Sequence, residues 1–321
     1  MVHPIIGRSI LNATKLRRRM RGPLRPSWSP ETEAHSRLLH HYSRRSHWLP
    51  LDWQRKALAS MVPVKPPRGV GFERFDIGGI EAAWLTPDGA DEDRVLLYLH
   101  GGGYLLGSID SHRHAVSRFA RAARMRTLLI DYRLAPEHPF PAGLEDAITS
   151  WRWLLESGVD PARAAIAGES AGGGLTMATL LSLREQGLPM PGAAAVLSPW
   201  VDLTLTGGTL ATNDRFDFIP RHILRDYAEK YANGADRGGP LLSPAFANLS
   251  GLPPLLIQAG EAETLLDDSR RLHERARAAG TEASLTVYPD MIHAFMLMPH
   301  MPGHREAVDE LGEHLRAHTG G

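Results

Sequence analysis

The chain has no cysteine, which excludes disulfides, thiolate metal sites and a cysteine nucleophile. Nor does one sign of charge dominate. Lys and Arg total 36 against 36 Asp and Glu, so there is no overall pull toward polyanions, and nucleic acid is not expected as a partner. No apolar run approaches the roughly 18 residues needed to cross a bilayer, so no stable membrane insertion is expected. The basic cluster from Lys15 to Arg21 is followed by Gly22-Pro23 and Arg25-Pro26, not by the long apolar stretch of an export signal. A cytoplasmic location is expected. There is no internal repeat and no low-complexity segment. What is present is 43% hydrophobic residues in 321, enough for a substantial core.

Along the chain, Ser29-Pro30-Glu31 reads as a helix start with proline in the first turn. A helix to about Arg45 and a second over Leu51–Met61 follow an irregular or loosely helical beginning. Four histidines crowd this arm, His35, His40, His41 and His47. They lack an H-E-x-x-H pattern and a carboxylate placed to complete a shell, so no metal is expected. From Phe72 the pattern changes. Phe72–Ile77, Gly78-Gly79 and Ile80–Thr86 read as a hairpin. Apolar runs at Arg94–Leu99, Thr127–Asp131, Ala164–Ala167, Ala193–Leu197, Pro254–Ala259 and Ser284–Tyr288 alternate with helical segments. Buried strands alternating with helices predict an α/β fold, a mostly parallel sheet of eight strands covered on both faces with an antiparallel edge. Helical segments at 30–61 and within 200–240 have no partner strand, which places them together as a cap over the carboxyl edge of the sheet.

The chemistry centres on Gly168-Glu169-Ser170-Ala171-Gly172. An apolar strand precedes it and a helix-forming segment follows, the strand–turn–helix context in which G-x-S-x-G presents a nucleophilic serine. A helix N-terminus there can also stabilise an oxyanion. After the strand Arg94–Leu99 comes His100-Gly101-Gly102-Gly103-Tyr104. Acyl transfer develops an oxyanion that needs preorganised N–H donors, and this loop is placed to supply them beside the N–H of Ala171. A base is expected late in the chain. His293 leaves the last strand, whereas His300, His304, His314 and His318 lie in or beside the final helix. For the acid that orients it, the loop 260–268 offers Glu263, with Glu261 close behind the strand and Asp267 and Asp268 as helix-start acids. Asp202, after the preceding strand, is the rival to Glu263.

These segments resemble the hormone-sensitive-lipase-like family of α/β-hydrolase esterases from about Arg94 to the C-terminus. His100–Tyr104 is similar to the family's H-G-G-G-aromatic loop. Asp131-Tyr132-Arg133-Leu134-Ala135-Pro136-Glu137 resembles its D-Y-R-L-A-P-E segment, and Gly168–Gly173 its G-D-S-A-G-G, with Glu169 in place of aspartate. His293-Ala294-Phe295 resembles its H-x-F ending, and aligning Leu265, Asp267 and Asp268 puts Glu263 where the family acid stands. The resemblance implies a Ser170–His293–Glu263 triad and an oxyanion hole from Gly102, Gly103 and Ala171. It implies structural roles for His100, Arg133 and Glu137, and no cofactor. It also implies a cap arm over 1–65, core over 66–200, a cap insertion over 201–250 and core over 251–321. The expected activity is hydrolysis of small-molecule esters with short to medium acyl chains. Deacetylation or lactone opening of a specialised metabolite is the alternative, and a non-catalytic ligand-binding protein a third. Relatives pair through the edge strand near the C-terminus, so a homodimer is expected. Trp48, Trp53, Phe216, Phe218, Tyr227, Met296 and Met298 are candidates for the pocket wall or for packing of cap on core.

Overall fold

A computed structural model describes residues 4–60, 62 and 67–320, with side chains from Ser9 onward. Eight strands form one sheet: β1 (Val70–Ile77), β2 (Ile80–Pro87), β3 (Asp91–Leu99), β4 (Met125–Asp131), β5 (Ala164–Glu169), β6 (Ala193–Leu197), β7 (Leu255–Gly260) and β8 (Ala283–Tyr288). Their spatial order is β1-β2-β4-β3-β5-β6-β7-β8. β2 is antiparallel to both neighbours, and β3 to β8 are parallel throughout. β5, β6 and β7 are buried along their full length, which is why they read as unbroken apolar runs. Gly78 and Gly79, both at positive φ, close the hairpin.

The chain carries helices α1 (Pro4–Arg21), α2 (Pro30–Ser46), α3 (Leu51–Ser60), α4 (Ile109–Ala123), α5 (Ala142–Glu156), α6 (Ala171–Glu185), α7 (Thr209–Thr212), α8 (Arg221–Ala232), α9 (Leu266–Ala278) and α10 (His304–His318). Two buried clusters lie on the two faces of the sheet. One contains Trp151, Leu175 and Leu272 of α5, α6 and α9. The other contains Phe119 and Leu311 of α4 and α10. The first helix covers most of a stretch expected to be irregular or loosely helical, and it is regular from Pro4 to Arg21. It packs on α2, where Arg18 and Arg37 pair with the buried Glu33.

Helices α1 to α3 and the segment 200–250 meet each other and the loops at the carboxyl ends of the parallel strands. Ser36 and His40 bond to the carbonyls of Phe216 and Asp217. Arg25 reaches Glu261 after β7 and Asp290 after β8. Arg55 of α3 donates to the Leu105 and Ala135 carbonyls and pairs with Glu137. Arg133 instead ties to Asp146 and Glu145 of α5. Tyr231 of α8 stacks flat on Tyr104, ring centroids 3.7 Å apart.

Candidate active site

Ser170 joins β5 to α6 at φ 55°, ψ −121°, a backbone state that a side chain adopts only under constraint. The constraint is visible in its neighbours. A Cβ on Gly172 would overlap the Leu99 carbonyl, and one on Gly168 the Gly172 carbonyl, so glycine alone fits either side of the turn. The Ser170 N–H donates to the Leu197 carbonyl and its own carbonyl accepts from Trp200 N–H, both at 2.9 Å. The turn is thus strapped to the segment leaving β6. Ser170 is 8% exposed.

Ser198, inside that strap, is where three strand ends meet. It is fully buried and at φ 46°. Its hydroxyl donates to Glu263 Oε2 at 2.6 Å and accepts from the Ala294 N–H at 3.0 Å. One hydroxyl therefore holds both the Glu263 carboxyl and the backbone beside His293. Glu263 Oε2 also accepts from Gly260 N–H at 2.9 Å. Two polar atoms in this cluster, Glu263 Oε1 and His293 Nδ1, are shut away from solvent and bonded to nothing among the described residues. Burial pushes the Glu263 carboxyl up to about 8 despite its Ser198 and Gly260 bonds. Burial likewise lowers His293 to about 4, so its ring is neutral at physiological pH. Asp217, from the 200–250 segment, braces both loops. It accepts from the backbone N–H of His293 at 3.2 Å and of Thr264 at 2.7 Å. Phe218 sets its ring against His293, centroids 5.8 Å apart.

The rival residues are engaged elsewhere. Both oxygens of Asp202 are taken by Thr204, Thr206 and Arg271. Asp268 accepts from the Val201 and Asp202 N–H groups, Asp267 accepts from Thr209 N–H, and Glu261 pairs with Arg25. His300 lies against His35, and His304 bonds to the Met296 carbonyl. His314 bonds to the Ala194 carbonyl, and His318 faces Glu282. The four arm histidines also go separate ways: His35 to Met298, His40 to Asp217, His47 beside Tyr227, and His41 exposed.

The glycine loop lies beside the serine turn. Glu169 Oε1 accepts from Gly101 N–H at 2.5 Å and faces His112 Nε2 at 2.8 Å, while Oε2 accepts from Tyr98 OH at 2.6 Å. Burial would raise Glu169, yet His112, Tyr98 and Gly101 together hold it below the usual carboxylate range. His112 is raised: burial opposes its charge, and Glu169 outweighs that. Gly101 N–H is thereby used, whereas those of Gly102, Gly103 and Ala171 donate to no described residue. Gly102 and Gly103 have φ 120° and 65°. Tyr227 of α8 covers Gly103 so closely that a Cβ there would enter its ring. His100 is buried between Tyr132 and His112 and bonded to the Gly101 carbonyl, a packing role. Among the aromatic candidates for the wall, Phe218 and Tyr227 are at the site and Phe216 packs on Trp28. Trp48 and Trp53 face solvent at 80% and 70% exposure.

A strained serine between a central parallel strand and its helix, beside a glycine loop with free amides, defines an α/β hydrolase. Residues 96–297 match the profile of a family described as alpha/beta hydrolase fold. An acetyl-hydrolase of Streptomyces hygroscopicus is 45% identical over 246 residues, covering 76% of this chain and 82% of that protein. The crystal structure of an esterase from the bacterial hormone-sensitive lipase family superposes with a TM-score of 0.84 at 42% identity, covering 91% of this chain and 99% of that one. That of EstE5, soaked with p-nitrophenyl butyrate, gives 0.83 at 40% identity, covering 97% and 99%. The chain belongs to the α/β-hydrolase family, in its hormone-sensitive-lipase-like branch, and is a carboxylic ester hydrolase. Among the described residues no helix is long and apolar enough to cross a membrane.

Proposed function

We propose that Ser170, His293 and Glu263 form the catalytic triad, with Gly102, Gly103 and Ala171 N–H groups as the oxyanion hole, acting on esters of short to medium acyl chains. The observation that carries this reading is the pair of buried, unbonded atoms Glu263 Oε1 and His293 Nδ1. Such atoms are costly unless they serve each other or a reaction, and these are the two that a triad joins. His293 takes the Ser170 Oγ proton as the oxygen attacks the ester carbonyl. The three amides receive the developing oxyanion, and Glu263 faces the imidazolium. Collapse of the intermediate expels the alkoxide, which takes the proton from His293. Water attacks the acyl-enzyme with the same histidine as base, and the acid leaves. Helices α1 to α3 and the 200–250 segment act as one cap, whose Tyr227 and Phe218 lie against the glycine loop and the base. The soaking of the EstE5 crystal with p-nitrophenyl butyrate supports short acyl groups as substrates. The edge position of β8 supports pairing of two copies through that strand.

Hydrolysis of p-nitrophenyl esters of graded acyl length tests the substrate class. The site assignment is tested by Ser170→Ala, Glu263→Gln and Asp202→Asn. The first two are expected to lower kcat by about 10³-fold or more and the third by far less. If Asp202→Asn is the damaging change, the acid has been placed on the wrong strand end.

A further inference from the structure

The chain is neutral overall, but its charge is unevenly distributed. The first sixty residues hold twelve lysines and arginines against three acids, and the remainder carries the matching acidic excess. The same sixty residues hold six of the seven large apolar or aromatic side chains exposed among the described residues: Leu16, Met20, Tyr42, Trp48, Leu49 and Trp53. Two independent features thus coincide on one arm. Arg18, Arg25, Arg37, Arg44 and Arg55 pair with acids within the fold, whereas the exposed apolar side chains are not part of the core.

The geometry of α1 organises them. Thr14 is buried and Arg18 reaches Glu33, so that side faces α2. At 100° per residue Leu16 and Met20 then point away, with Arg19 and Lys15 on one flank and Arg17 on the other. An apolar strip between basic flanks is the pattern of a helix lying in a lipid–water interface. Arg17, Arg19, Arg21 and Arg45 have no carboxylate partner among the described residues. Between α1, α2 and residues 214–215 runs a groove of about 710 Å³, lined by Arg17, Arg37, Arg44, Arg45 and Arg215 with a single acid, Asp214. Trp48 and Leu49 are exposed just beyond the end of α2, with tryptophan suited to the headgroup level. Trp53 lies one residue from Gln54 and two from Arg55. Gln54 accepts from Tyr227 OH, and Arg55 holds the Leu105 carbonyl. Trp53 therefore stands on the outer side of α3, whose inner side reaches Tyr227 and the backbone just after the glycine loop.

We propose that this outer face adsorbs to an anionic phospholipid surface, bringing the mouth of the ester-hydrolysing site to a bilayer from which lipid-dissolved esters enter. Net cationic charge with exposed tryptophan matches such a surface, and since no helix among the described residues is long and apolar enough to cross a membrane, the association proposed is peripheral. Adsorption is read without turnover, so its failure is distinguishable from failure of the catalytic reading.

The test is cosedimentation of the full chain with vesicles of phosphatidylcholine alone or with about a third phosphatidylglycerol. Two variants accompany it: the charge reversal Arg17→Glu, Arg19→Glu, Arg45→Glu, and the apolar deletion Leu16→Ser, Met20→Ser, Trp48→Ser. Circular dichroism and p-nitrophenyl butyrate hydrolysis without vesicles establish that both remain folded. The wild type should bind anionic vesicles at least about 10-fold more tightly than neutral ones and lose that margin in high salt. Each variant should lose about 10-fold or more. No adsorption, equal binding to neutral vesicles, or variants that bind like the wild type would each overturn the proposal. So would equally tight binding of a DNA oligonucleotide, or self-association through this face without vesicle binding.

Discussion

Ser198→Ala removes one hydroxyl and no other contact surface of consequence, yet that hydroxyl serves two partners. It donates to the Glu263 carboxyl and accepts the Ala294 N–H, all inside a fully buried pocket. With the carboxyl pushed up to about 8 and so largely neutral at pH 7, the bond to it contributes about 0.5–1.5 kcal/mol, and orphaning a buried N–H costs about 1–3 kcal/mol. The stability loss should therefore be about 3 kcal/mol, read as a lower urea midpoint. Catalysis should suffer separately. With the bond gone, Glu263 is free to turn, and its pKa, already pushed up to about 8 by burial, rises further because the Ser198 bond favoured the charged form. At neutral pH fewer molecules then carry the carboxylate that faces the imidazolium. The expected result is a kcat lowered about 10- to 100-fold with KM nearly unchanged, and an acid limb of kcat/KM displaced to higher pH. Ser198→Gly is the control. It also lacks the hydroxyl but suits the positive φ, so it should recover about 1 kcal/mol of stability relative to alanine without recovering kcat. Melting losses in both variants with kcat within two-fold of wild type would refute the argument, since Glu263 would then be held by something else.

Two further outcomes follow from the glycine loop. His112→Gln should weaken the hold of Glu169 on Gly101. His112 is raised in the fold, so its contribution is complete below the unfolded histidine value and is lost as pH rises through the folded one. Glu169 is depressed, so its contribution is complete above the unfolded carboxylate value and is lost as pH falls through the folded one. The stability gap between wild type and His112→Gln should accordingly be widest between about pH 4.5 and 6.5, and denaturant titrations showing it constant to pH 9 would contradict the pairing. Gly103→Ala puts a side chain at φ 65° and into the Tyr227 ring. It should lower kcat by about 10²-fold, and adding Tyr227→Ala should restore part of that in a non-additive cycle.

The parallel core was readable because strands buried on both faces, such as Ala193–Leu197, must be apolar along their whole length. The serine turn and glycine loop were readable because close backbone approach demands glycine at particular places, as the overlaps at Gly168, Gly172 and Gly103 explain. The regularity of α1 was legible only in part, as a loosely helical stretch, since the helix packs against α2 through the Arg18–Glu33 pair. Ser198 and Asp217 escaped notice because their partners come from 65 to 96 residues away in one case and 47 to 76 in the other. The position of Ser198, directly after an apolar strand at the carboxyl edge, was its one available signal. Asp202, the rival acid, carried the same signal, and Thr204, Thr206 and Arg271 engage both its oxygens locally.

In the proposed triad Ser170 is a nucleophile activated through His293 by Glu263. The most direct measurement is the rate at which an alkyl p-nitrophenyl phosphonate labels the protein, with the modified peptide located by mass spectrometry. One label per chain is expected, on Ser170, with a rate that collapses in Glu263→Gln and changes little in Asp202→Asn. A label on another residue, or a rate that collapses in Asp202→Asn and survives in Glu263→Gln, would contradict it.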